Sequence, residues 1–116
     1  MSKNYFRQRE DVRPMIYAYE IPGNEYRGLL KIGYTEKSVE ERVAQQFPTK
    51  RPDGTIPYRI VFQDSAMRND GSCFTDHDVH RMLRKKQITG VGGEWFRCTV
   101  EDLKAAIIAV KNRSNN

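Results

Sequence analysis

Apolar and polar positions change rhythm several times along this chain. Residues 15–21 are almost all apolar or aromatic and stop at Pro22-Gly23, which fits a buried strand closed by a turn. Residues 29–34 have the same character and read as its antiparallel partner. Behind Ser38-Val39-Glu40-Glu41, a capping-box pattern, Val39, Val43 and Phe47 recur at helical spacing until Pro48, predicting a first helix. A turn-rich loop with Pro52 and Asp53-Gly54 leads to residues 58–62, a third strand.

Beyond a loop at 65–72, Phe74, Val79, Met82 and Leu83 give an apolar face to a second helix over about residues 74–87. Gly90-Val91-Gly92-Gly93 breaks it, and Glu94-Trp95-Phe96-Arg97 follows as a short extended piece. Thr99-Val100-Glu101-Asp102 resembles a helix start, with Val100, Leu103, Ile107 and Val110 as one stripe of a last helix. The expected class is α/β in the α+β sense: a small, three-stranded, mainly antiparallel central sheet flanked by helices. Residues 1–13 are polar, mixed in charge and followed by Pro14, so they read as a flexible arm; 14–112 form one domain and 113–116 a frayed tail.

Composition narrows the partners. With 20 basic and 15 acidic residues the net charge is +5, which attracts a polyanion, although interleaved acids would break up a patch. No apolar run approaches the roughly 20 residues needed to span a bilayer, and the polar start is no signal sequence, so a soluble, cytoplasmic protein without a membrane partner is expected. Cys73 and Cys98 lack CxxC spacing and read as free thiols.

A series of short motifs carries the chemistry: Met15-Ile16-Tyr17, then Leu30-Lys31-Ile32-Gly33-Tyr34-Thr35, then Arg42, then Glu94-Trp95-Phe96. In order and spacing the series resembles the GIY-YIG endonuclease superfamily, in the phage and bacterial branch with KIG-Y-T and EWF motifs. The resemblance implies a metal-dependent DNA endonuclease that hydrolyses phosphodiesters on duplex DNA, often fused to helicase or restriction modules. By motif position it implies that Tyr17 positions or deprotonates water, that Arg42 stabilises the pentacovalent charge, and that Glu94 holds Mg2+ or Mn2+. Two positions depart from the pattern: Met15 replaces a glycine, and Lys31 replaces a tyrosine, with Tyr34 just after Gly33 as a substitute hydroxyl.

His80, in the group Asp76, His77, Asp78 and His80, is a candidate general base or phosphate ligand; its alternative is a helix-surface histidine near Asp76. Arg81, Arg84, Lys85 and Lys86 would bind the duplex backbone without reading sequence, extended by Arg7, Arg9 and Arg13 on the arm. Each site residue also has a plain reading. Tyr17 would be a strand aromatic, Arg42 a surface arginine, and Glu94 a solvated loop acid. Two other functions stay open: a non-catalytic DNA-binding module on the same fold, and a protein-interaction domain.

Overall fold

In the computed structural model, which describes residues 13–47 and 52–112, strand β1 (Met15–Glu20) has covered side chains on both of its faces. Ile16 and Ala18 enter an aliphatic core, while Tyr17 and Tyr19 enter a smaller, aromatic one. β2 (Leu29–Thr35) pairs antiparallel with β1, so that Tyr17 faces Gly33 and Tyr19 faces Lys31. β3 (Arg59–Ser65) flanks the other side of β1, with a register shift at Ala18/Tyr19.

Helix α1 (Val39–Gln45) starts where Ser38 accepts from the Glu41 amide, and it buries Val39 and Val43 against the aromatic core. α2 (Asp76–Lys85) is trimmed at its start by Thr75, whose capping box with Asp78 satisfies two amides that would otherwise lack partners. Val79, Met82 and Leu83 of α2 pack with Leu103, Ala106, Ile107 and Val110 of α3 (Val100–Asn112) over the aliphatic face. The sheet therefore has α1 on one side and the α2–α3 pair on the other.

Among the described residues, the three-stranded sheet expected from the sequence is corrected to five antiparallel strands in the order β3-β1-β2-β5-β4, with three α-helices. The additional strands are β4 (Gly90–Gly92) and β5 (Trp95–Arg97). Three residues are too few for alternation to show, and glycines read as breakers. Here the glycines build the hairpin instead. Gly93, at φ 56, takes the first central position of a two-residue turn between Gly92 and Trp95. Gly90 lies against Phe96, where an added Cβ would come within 3.4 Å of the ring.

Of the expected arm only Arg13 is described, and it is exposed. Arg7, Arg9, the helix stop at Pro48 and the tail over 113–116 lie outside the described residues. Among the described residues no helix is long and apolar enough to cross a membrane. Cys73 and Cys98 are free thiols; burial, aided by Asp102, pushes Cys98 up to about 11.

Candidate functional site

The β1–β2 register puts Tyr17, Tyr19, Lys31 and Gly33 on one face of the sheet. Tyr17 is 1% exposed and lies across β2, so that a Cβ at Gly33 would collide with its hydroxyl and ring. Glycine is thus required here by a close approach of a neighbouring side chain. β5 pairs with β2 through Leu30↔Phe96 and Lys31↔Trp95, and the Ile32 amide donates to the Glu94 carbonyl at 3.0 Å. These bonds hold the Gly93-Glu94 turn beside Lys31, whose Nζ donates to Glu94 Oε1 at 2.9 Å.

Gln46, which caps the end of α1, joins the parts. Its Oε1 accepts from Tyr19 Oη at 2.7 Å and Lys31 Nζ at 3.1 Å, while its Nε2 donates to Tyr17 Oη at 3.1 Å. The ammonium can only donate, and burial together with the nearby Tyr17 and Glu94 raises the Tyr19 phenol above its ordinary range, keeping its proton. Both neighbours therefore demand the amide oxygen, and the amide nitrogen is left to Tyr17. The charge of Arg42, an exposed arginine one helical turn before Gln46, opposes the shift at Tyr19.

The carboxyls of Asp76 and Glu94 form a hydrogen-bonded pair. Burial, then the charge of Glu94, raises Asp76 above the usual carboxylate range, against the opposing His80 and His77. Burial also pushes Glu94 up, but the hydrogen bond and charge of Lys31, the bond from Asp76 and the charge of His80 outweigh it, so Glu94 is lowered. The pair is thus split, with Asp76 shifted up and Glu94 shifted down.

The remaining candidates divide. His80 is buried near Glu94, but its Nε2 donates to the Ile32 carbonyl at 3.0 Å and its ring packs 5.0 Å from Phe96, which leaves only Nδ1 for chemistry. Tyr34 is not brought to the site. Three residues beyond Lys31, it falls on the opposite face, where it joins the aliphatic core and its hydroxyl donates to Glu36 at 2.9 Å. Burial and Glu36 push it up to about 12.

Arg81, Arg84, Lys85 and Lys86 are exposed, with Arg81 ion-paired to Asp78 at 2.6 Å and Arg84 5.5 Å from the Phe96 ring centroid. Lys85 lies roughly 14 Å along the helix axis from Asp76, so the ridge reaches toward the site from one helix length away. Sequence reasoning gave no role to Tyr19 or Gln46 and placed Asp76 only as a neighbour of His80. Simple spacings mark all three: two residues after Tyr17, four after Arg42, and four before His80.

Residues 15–111, a span that contains the whole constellation, match the family model of the T5orf172 domain. The chain belongs to the T5orf172 domain family. This corrects the family assignment drawn from the motifs, because T5orf172 is a different family from GIY-YIG, whose model gives no match. The motifs misled because each is a few residues long and reports little beyond a strand pair, a helical arginine and a glutamate in a turn. No curated protein and no solved structure matches this T5orf172 domain.

Proposed function

We propose that this T5orf172 domain binds DNA and hydrolyses a phosphodiester bond over the Tyr17–Gly33 strand pair. The family is one of nuclease-like, DNA-binding domains, and a DNA-related function is compatible with it. The observation that carries the finer reading is that Gln46 ties two phenols to a lysine that is itself paired with a carboxylate. A phosphate seated beside Lys31, at the open edge of the buried Tyr17–Gly33 contact, would meet the Lys31 ammonium and the exposed Arg42 as charge stabilisers, with the guanidinium fork suited to two phosphoryl oxygens. Tyr17 Oη accepts a bond from Gln46, and its second lone pair would orient the attacking water. Water oxygen bonds to phosphorus and gives up one proton, the bond to the leaving oxygen breaks, and that oxygen takes up a proton, so that the net change is the addition of one water.

A divalent ion fits the donor set. Glu94 and Asp76 present paired carboxyls, and among the described residues no group of three or more His, Cys, Asp or Glu side chains could hold a metal. Two carboxyls suit Mg2+ or Mn2+, which keep several waters, and do not suit a structural zinc site. Bound there, such an ion would stabilise charge on the leaving oxygen.

One observation favours the runner-up, a DNA-binding module without turnover: Lys31 and Asp76 already satisfy Glu94 in the free protein. A supercoiled-plasmid nicking assay in Mg2+ or Mn2+ decides between them. The hydrolytic reading expects nicking that falls at least about 100-fold in Glu94→Gln and in Arg42→Ala, the scale of losing a preorganised charge stabiliser. Duplex binding without nicking would establish the runner-up, and nicking that survives both substitutions would sink the assignment.

A further inference from the structure

We infer that the site takes DNA with an unpaired nucleotide beside the scissile phosphate, its base stacked on an aromatic platform made by Tyr26 and Trp95. This rests on the DNA reading proposed above and narrows its substrate. Tyr26 ends a single 3-10 turn (Asn24–Tyr26) between β1 and β2, and it is 37% exposed although aromatic. Its ring centroid lies 5.4 Å from that of Trp95, with the planes 36° apart. Trp95 is braced from beneath by Tyr19, 5.8 Å away and edge-on at 84°. Tyr26 is thus held on a rigid support and still open to water, so a base would gain stacking area with little side-chain ordering.

Charge identifies the occupant. Trp95 stands opposite Lys31 in the β2–β5 register and directly follows Glu94, so a base on the platform belongs to a nucleotide next to the phosphate at Lys31. Arg97, two residues further along the same strand face, and Arg27, next to Tyr26, are both exposed. Neither is ion-paired among the described residues. An exposed aromatic ring flanked by free cations is what single-stranded nucleic acid binds, with bases on the ring and phosphates on the cations. In a duplex the base faces are covered by their neighbours, so the platform selects an unpaired nucleotide.

Trp95 is the chain's one tryptophan, so its fluorescence reports on the platform without any label. The full chain is titrated with oligothymidylate and, separately, with a duplex of equal length at the same salt. The expected result is that the single strand quenches Trp95 and the duplex does not. Tyr26→Ala then weakens single-strand binding by about 5- to 100-fold, the range of one lost base–aromatic stack, and Tyr26→Phe restores it to within about twofold. Equal quenching by duplex, or a single-strand affinity unchanged in Tyr26→Ala, overturns the inference. Quenching by neither also overturns it and leaves the platform to a protein partner. Plasmid nicking or salt-sensitive duplex binding that persists in those cases preserves the broader DNA reading, so the two failures are separable.

Discussion

The same strands present two chemically different faces. On one, Ile16, Ala18, Leu30 and Ile32 meet the aliphatic stripes of α2 and α3, and the deeply buried imidazole there, His80, is satisfied by the Ile32 carbonyl. On the other, α1 supplies just two buried aliphatic side chains, Val39 and Val43, and the rest of the contact is made by tyrosines with Phe47, Ile60 and Trp95 around them. There Gln46, Lys31 and Glu94 lie at the edge of the apolar contact. Strand alternation, by sending neighbours in sequence to opposite faces, assigns stability to one side and chemistry to the other. Tyr34 shows how strict this is: one step past Gly33 is enough to remove it from the site.

If that division holds, the largest stability loss should come from the aliphatic side. Leu103 is fully buried between the sheet and α2, and Leu103→Ala is expected to cost about 2–5 kcal/mol through lost transfer energy and a residual cavity. Urea unfolding followed by circular dichroism measures it, and Val43→Ala on the other face is the companion. A larger loss in Val43→Ala than in Leu103→Ala would reverse the comparison.

The aliphatic side is also the part that the sequence makes readable. Its helices follow from the spacing of Val79, Met82 and Leu83 and of Leu103, Ile107 and Val110, because one apolar stripe per helix is a local signal. The β4–β5 hairpin is not readable in this way. Its strands have three residues each, and their existence depends on β2 accepting β5, a contact between residues more than sixty apart in sequence. At the site, the roles of Tyr17 and Gly33 can be suspected from their motifs, but Gln46 acquires meaning only when the end of α1 arrives over Tyr17 and Tyr19. The pairing of Asp76 with Glu94 likewise needs the start of α2 to meet the hairpin turn. A carboxylate's partner is a property of the assembled fold.

Gly33→Ala tests the point where packing and chemistry meet. Tyr17 cannot move aside for a methyl group, because it is buried and its hydroxyl is held by Gln46, so strand or ring must shift. The expected cost is about 1–3 kcal/mol, the scale of overpacking a well-filled region, measured by the urea midpoint. A variant as stable as the parent would mean that Tyr17 does not lie across β2, and the site geometry would fail with it.

The smallest effect expected has the opposite sign, which makes it the sharpest test of the carboxyl pair where the start of α2 meets the hairpin turn. Asp76 has its proton affinity raised by burial and by the charge of Glu94. An acid of this kind contributes its full stability below the ordinary carboxyl value of 3.8, and that contribution is lost as pH rises through the higher folded value. Asparagine cannot ionise, yet its amide can still donate to Glu94, so Asp76→Asn escapes the loss. The melting temperature of the variant should match the parent near pH 3 and exceed it by a few degrees at pH 7, in buffers containing EDTA. Adding Mg2+ should then narrow the gap, because the parent regains a second carboxylate ligand that the variant lacks. Scanning calorimetry across pH, with and without Mg2+, reads both effects. A variant less stable than the parent at pH 7 in EDTA would show that Asp76 contributes to the fold in the way Leu103 does, and the partition between the two faces would no longer stand.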